Sequence, residues 1–141
     1  MSFAQFDKSY FPRINVKYKE NIKNHNDYKK FENDWLSCYE QQKDFYFIFD
    51  TCQVGLINPV YGYHLSNFIS KLKKFKKQYL TFSIIQVNNW YVKQMLFWVF
   101  TMQKPVAPVY IVEKNIDIEL LIEDIHNQKI VKDDNIYIVY P

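Results

Sequence analysis

The chain has 141 residues, of which 48% are hydrophobic and 19% aromatic, and its formal net charge is +3. This composition excludes the polar, aromatic-poor profile of disordered chains, and the length is that of one domain with a sizeable core. The small net charge argues against a nucleic-acid-binding protein, because duplex binders normally carry a dense basic face. We therefore expect one folded domain over residues 1–141.

The amino terminus and the cysteines are used to predict where in the cell the protein is found. Cys38 and Cys52 lie on different predicted elements without a Cys-x-x-Cys pair, and no basic segment followed by an apolar core opens the chain. The longest apolar run, residues 95–100, is far shorter than the ~20 residues that span a bilayer. We predict a cytoplasmic protein, not an integral membrane protein. Abundant Lys, Asn and Ile with a single Arg indicate an AT-rich genome, which is compatible with a viral source.

The first third of the chain predicts two strands, a helix and a third strand. Residues 11–18 alternate apolar and polar side chains, and residues 2–6 predict a short partner, so that both fit edge strands. Residues 45–49 are apolar on both faces, as expected of a central strand. Between them, Asn26 or Asp27 is placed to cap a helix. The apolar stripe of that helix is Tyr28, Phe31, Trp35, and Cys38 or Tyr39.

Strands and helices continue to alternate along the rest of the chain, without a repeat or a linker. This order predicts an α/β fold with a mostly parallel central sheet flanked by about four helices. In chain order the predictions are a helix at about 61–77, a strand at 80–87, a helix at 90–102 capped by Asn88 or Asn89, a strand at 107–113, a helix that follows Asn115, and a strand at 135–140.

The stretch FYFIFDTCQVGLINPVYGYHLSNFI, residues 45–69, resembles the central strand, loop and following helix of STAS domains. That family is shared by sulfate transporters and bacterial anti-sigma-factor antagonists. In its regulatory members the loop carries an Asp-Ser pair, and phosphorylation of the Ser switches binding to a kinase-like partner. Here Asn58 and Pro59 stand near those two positions. The resemblance therefore implies a STAS-like fold and a non-catalytic regulatory module that binds proteins, without the phosphorylation switch.

A second stretch, YLTFSIIQVNNWYVKQMLFWVF at residues 79–100, is similar to the strand, Asn and aromatic helix of CRAL-TRIO lipid-transfer domains. This likeness implies an alternative function, a small lipid- or nucleotide-binding domain. Its pocket would lie near Asp50, Asn58 and Asn88, because open α/β sheets bind ligands at the carboxyl ends of their parallel strands.

The loop after the strand at residues 45–49 is the predicted recognition site. Cys52 would be a nucleophile only with a base and an electropositive setting, and the nearest histidine, His64, has no visible orienting partner. We therefore expect no enzyme activity, with Asp50 capping the loop and Cys52 packing as a small apolar residue. The residues predicted to bind a partner or ligand are Asp50, Thr51, Asn58, Pro59, Tyr61, Gly62 and Asn88.

Metal and other cofactors are not expected. His25, His64 and His126 stand on separate predicted elements, without the i, i+4 pair or the Cys/His cluster of metal sites.

The helix at residues 90–102 carries more apolar side chains than one core stripe requires. Trp90, Phe97 and Trp98 lie outside that stripe, and aromatic residues are enriched at interface hot spots. They predict a contact with a protein partner or a second copy of the chain, with extra core packing as the alternative.

Charged residues are segregated along the sequence. A run of lysines lies at the end of the second predicted helix, whereas the fourth predicted helix is acidic. Contact between this basic run and the acidic helix of another copy favours self-association, including a homodimer. The basic run would otherwise contact anionic lipid, nucleic acid or an acidic protein face, or form the solvated side of an amphipathic helix. Its residues are Lys71, Lys73, Lys74, Lys76 and Lys77.

Overall fold

A computed structural model of the chain describes residues 3–19 and 21–141. Strands and helices follow one another in the predicted order within this part of the chain. The elements are β1 (Ala4–Tyr10), β2 (Arg13–Tyr18), α1 (His25–Ser37), β3 (Phe45–Asp50), α2 (Pro59–Leu72), β4 (Leu80–Val87), α3 (Trp90–Met102), β5 (Val109–Glu113), α4 (Ile118–His126) and β6 (Ile136–Val139). Ser2, the first residue of the first predicted strand, lies outside the described residues.

The six strands form one sheet in the order β1-β2-β3-β4-β5-β6. Strands β2 to β5 are parallel to one another, whereas β1 and β6 pair antiparallel at the two edges. The sheet is therefore mixed, and the prediction of a mostly parallel sheet was wrong. At one edge the reason is a tight hairpin that pairs Tyr10 with Arg13, since so short a connection joins only antiparallel strands.

Strand β2 is not the edge strand that its alternating pattern predicted, because it is hydrogen-bonded to both β1 and β3. Its alternation has another cause. Ile14 and Val16 are fully buried, while Lys17 points to solvent. A half-buried pattern reports that one face of the strand is covered, and it does not report how many neighbours the strand has.

Helices α1, α2 and α3 cover one face of the sheet, and α4 covers the other. Right-handed crossovers between adjacent parallel strands, all advancing in the same direction, place their helices on the same side. Trp35 of α1 and Phe68 of α2 pack with Phe47 and Phe49 of β3 in the larger core. This arrangement leaves the outer sides of α2 and α3 uncovered by the sheet.

Helix α2 ends at Leu72, five residues before the predicted end at residue 77. The crossover must return to β4 at Leu80, which pairs with Phe45. Fourteen helical residues are about 21 Å long, and the six residues of β3 are about 20 Å long. A helix that continued to residue 77 would overrun the strand, so the basic residues after Lys71 form the return loop and not the helix.

Helix α1 begins at a different cap from those expected. Asn24 caps α1, because its side chain accepts a hydrogen bond from the backbone N–H of Asp27 at 3.0 Å. Asp27 in turn accepts one from the backbone N–H of Lys23, a reciprocal arrangement like a capping box. Helix α4 follows Asn115, and Asp117 caps it by accepting a hydrogen bond from Leu120 N–H.

Candidate interaction site

The loop at residues 51–58 is held by hydrogen bonds within the fold. The Thr51 hydroxyl donates to the carbonyl of Gln86 on β4 at 2.6 Å, and the side chain is buried. Asp50 accepts from the backbone N–H of Cys52 at 3.0 Å, and Asn58 caps α2 by accepting from Val60 N–H. These three predicted site residues therefore position the loop.

Asn89 ties this loop to the third helix. Its side-chain N–H donates to the carbonyl of Val54 at 2.6 Å, and its Oδ1 accepts from the backbone N–H of Val92 as the cap of α3. Asn88, which was predicted to belong to the site, is exposed, and no side-chain hydrogen bond holds it to the described residues. The bridging role belongs to Asn89.

Gly62 lies inside α2, within the helix predicted at about 61–77, and not in the loop that precedes it. A Cβ atom at this position would stand 2.5 Å from the sulfur of Met95 and 2.8 Å from the ring of Trp98, both on α3. The glycine therefore allows the two helices to approach closely. Pro59 is the first residue of the same helix, and Tyr61 packs half-buried on Tyr28 with ring centroids 5.4 Å apart.

The three aromatic residues predicted as an interface do not share one environment. Trp90 is 67% exposed and Trp98 is 42% exposed, despite its contact with Gly62. Phe97 is half-buried and packs on Tyr137 of β6 with ring centroids 4.9 Å apart. Phe97 is therefore a packing residue, and the exposed aromatic surface consists of other residues.

A shallow groove runs between the amino-terminal ends of α2 and α3, with a volume of about 330 Å³. Its walls include Leu56 and Pro59 on one side and Trp90 and Trp98 on the other. Exposed apolar side chains extend it along both helices. We call the whole set the α2–α3 surface, and its members are Leu56, Pro59, Val60, Tyr63, Trp90, Tyr91 and Trp98. Solvated apolar side chains this numerous and adjacent typically mark an interaction site.

The predicted basic surface lies at the opposite end of α2. Lys71 is in the last turn, and its predicted companions are exposed in the loop that follows, where none forms an ion pair with the described residues. A broader signal was missed in the sequence. Residues 51–112 contain seven Lys and no Asp or Glu. The other 79 residues carry eleven Lys and Arg against fifteen acids, a charge of −4, so the net charge of +3 conceals two oppositely charged parts.

Two small apolar cavities lie beneath α2, of about 90 and 70 Å³. Both are bounded by Tyr18, Phe31 and Leu65. Pockets for small molecules usually measure about 300 to 1,000 Å³. These cavities therefore give no support to the alternative of a lipid held inside the domain.

The structure brings together two histidines that the sequence placed on separate elements. The rings of His25 and His64 are 5.4 Å apart and pack against Tyr28 and Tyr61. Within residues 3–19 and 21–141, no group of three or more His, Cys, Asp or Glu side chains is arranged to hold a metal ion.

Cys52 has the surroundings of an unreactive thiol. Partial burial, the hydrogen bond to Asp50 and the negative charge of Asp50 raise its pKa, against a smaller opposing effect of Lys114. A raised pKa lowers the thiolate fraction at neutral pH, and the thiolate is the nucleophile.

We expect iodoacetamide to alkylate Cys52 more slowly at pH 7 than it alkylates a free cysteine in a peptide, with a rate that rises with pH as the thiolate forms. Mass spectrometry of the intact protein and its peptides measures this rate. Cys38, which is buried and whose pKa is raised to about 11 mainly by burial, is the internal control and should react only on unfolding. Rapid, selective labelling of Cys52 at pH 7 would contradict this assignment.

Phosphorylation of the loop is not expected. Thr51 and Ser66 are the Ser and Thr residues between positions 51 and 66, both are buried, and the Thr51 hydroxyl is already hydrogen-bonded. Incubation with a kinase that acts on STAS domains, followed by peptide mass mapping, should leave both residues unmodified. Phosphate on either residue in the folded protein would contradict this prediction and would indicate a phosphorylation switch like that of regulatory STAS domains.

Comparison of the chain with models of protein families, with curated proteins and with solved structures gave no significant match. Among the described residues, no helix has the length and apolar character required to cross a membrane.

Proposed function

We propose that this chain is a non-catalytic interaction module that binds a protein partner on the α2–α3 surface. The observation that carries the proposal is the groove, where Leu56 and Trp90 are 65% and 67% exposed beside the fixed loop at residues 51–58. Large apolar side chains in solvent lower the free energy of binding when a partner covers them.

The side chains of the preceding loop and of the groove support a binding function and not a catalytic one. Thr51 and Asp50 are engaged in hydrogen bonds that hold the loop, and the thiol of Cys52 has a raised pKa. A catalytic site requires a nucleophile within reach of a base that a third group orients. The groove instead offers aromatic contact area and the side-chain amide of Gln94.

We also propose that the fold is STAS-like, with the loop before α2 as part of its recognition surface. The order of the elements and the start of α2 at Pro59, directly after the loop, support this relationship. The proposed surface differs from the predicted one, because it keeps Pro59, Trp90 and Trp98, adds Leu56, Val60, Tyr63 and Tyr91, and leaves out the other predicted residues.

Peptides selected from a random display library against the full chain would test the proposed surface. We expect Trp90→Ala to weaken the binding of selected peptides by about 2 kcal/mol, roughly 30-fold, as for an aromatic hot spot. Isothermal titration calorimetry measures the loss. Trp90 is suitable because its high exposure makes its contribution to folding small.

The matched control is Tyr10→Ala, since Tyr10 is 68% exposed on the edge strand β1. This variant should bind as the wild type does. Failure to select any peptide, or equal loss in both variants, would count against the proposed surface. Amide shift changes in NMR spectra that cluster on α4 would place binding on the other side of the sheet.

A further inference from the structure

We propose that the partner of the α2–α3 surface is an acidic protein segment, which inserts an apolar side chain into the groove and directs carboxylates toward the lysines at the end of α2. This inference rests on the proposed function and specifies the chemistry of the partner. It follows from the charge of the surface, the shape of the groove and the distance between the groove and the lysines.

The charge of this surface is one-sided. Helices α2 and α3, the loops on either side of them and strand β4 all fall within residues 51–112, where Asp and Glu are absent. Lys93 pairs with Glu113 at 2.9 Å, but Lys71 and the lysines of the following loop have no such partner among the described residues. A complementary partner must supply the carboxylates, since complementary potentials steer association and select partners.

The groove end of the surface also favours negative charge. Both α2 and α3 begin there, and neither has an acidic residue in its first turn. Helix amino termini carry a partial positive charge, which is usually offset by Asp or Glu of the same helix. Here that complement is left to another molecule.

A second copy of the chain does not meet this requirement through the same surface. In any two-fold arrangement of the α2–α3 surface on itself, residues 51–112 of one copy face residues 51–112 of the other. The lysines would then meet a part of the chain that contributes no carboxylate. A two-fold dimer through this surface therefore leaves the lysines without a charge complement.

The shape of the surface favours a protein segment over a lipid bilayer. The walls that Leu56 and Trp90 form border an open, concave space of about 330 Å³. Such a space accepts one protruding side chain of a peptide, as in the helix-in-groove mode of recognition. A fluid bilayer offers no fixed protruding side chain that matches a groove of this shape.

The distance along α2 sets the length of the partner segment. From Pro59 beside the groove to Leu72 the helix has 14 residues, about 20 Å. At physiological salt the Debye length is about 8 Å, so the lysines act on carboxylates near their own end of the surface. A helical segment of roughly 13 residues would reach from the groove to Lys71, with carboxylates at the end that meets the lysines.

The test uses the peptides selected from the display library against the full chain. We expect the selected sequences to combine an aromatic or large aliphatic residue with several Asp or Glu. The triple variant Lys71→Gln/Lys73→Gln/Lys74→Gln should weaken their binding about tenfold, a modest effect for each exposed charge. The loss should shrink between about 50 and 500 mM salt as screening increases.

The control triple variant is Lys17→Gln/Lys129→Gln/Lys132→Gln, which removes the same net charge from exposed positions on β2 and in the segment that follows α4. It should change affinity less than about twofold, because only distant screened charges are removed. An equal loss in both variants would show a general effect of net charge and overturn the inference.

Other outcomes separate this inference from the proposed function. Neutral or basic peptides that still lose affinity with Trp90→Ala would overturn the acidic partner and leave the surface intact. Vesicles of phosphatidylcholine with about 30% phosphatidylserine should not sediment the protein, and sedimentation that Trp90→Ala abolishes would assign a membrane instead. Dimers in sedimentation velocity that Trp90→Ala dissociates would assign a second copy.

Discussion

Replacement of Gly62 by Val is expected to lower the free energy of unfolding by about 2 to 3 kcal/mol, as overpacking between closely packed elements does. The Cβ atom alone would stand 2.5 Å from the sulfur of Met95 and 2.8 Å from the ring of Trp98. Val adds two methyl groups beyond that atom, so α2 and α3 must move apart. Urea denaturation followed by circular dichroism measures the change.

Gly55→Val is the matched control, because the nearest side-chain atom to its Cβ position belongs to Asn21, at 3.6 Å. We expect it to change stability by less than about 0.5 kcal/mol, as a surface substitution does. Met95→Ala in the Gly62→Val background should recover part of the loss, since it opens the space that the Val requires. No loss in Gly62→Val would mean that the helices approach less closely than the structure shows.

Asn89→Ala should lower the free energy of unfolding by about 2 kcal/mol, the sum of two effects. Loss of the helix cap to Val92 costs about 1 kcal/mol. Loss of the hydrogen bond to the Val54 carbonyl costs about 1 kcal/mol more. Urea denaturation gives the total, and hydrogen exchange at residues 52–57 should show faster exchange as the loop detaches from α3.

Asn89→Asp separates the two effects, because Asp caps a helix as well as Asn does but cannot donate to the Val54 carbonyl. The Asn89→Asp variant should retain the contribution of the α3 cap to the free energy of unfolding, but its loop should still detach from α3. Asn88→Ala is the control and should be neutral, since that side chain is exposed. Equal losses at positions 88 and 89 would contradict the bridge between the loop and α3.

The order of the elements could be predicted because the local signals are strong. Strands β3 and β4 are apolar on both faces and lie where the sequence predicted them. The end of α2 was wrong because it depends on the length of a strand elsewhere in the chain, which helical periodicity does not contain. The antiparallel edges were missed for a similar reason, since pairing direction follows from connections and not from the pattern within one strand.

The location of the candidate site could be predicted from the sequence, but the residues that form it could not. The loop after Asp50 was expected from the strand that precedes it, but the role of Gly62 depends on contacts with residues more than thirty positions later. Phe97 lies within about 20° of Trp90 around the helix axis, so periodicity alone cannot separate them. Tyr137, forty residues beyond Phe97, covers one and leaves the other exposed.

The sheet order has a consequence for biosynthesis. Each strand pairs with the strand that precedes it in the chain, so the spatial order of the sheet repeats the order of translation. Strand pairings between consecutive elements keep contact order low for an α/β protein, which favours rapid folding. As the polypeptide leaves the ribosome, each new strand meets an edge that has already been made, and the nascent sheet can grow vectorially from β1 to β6.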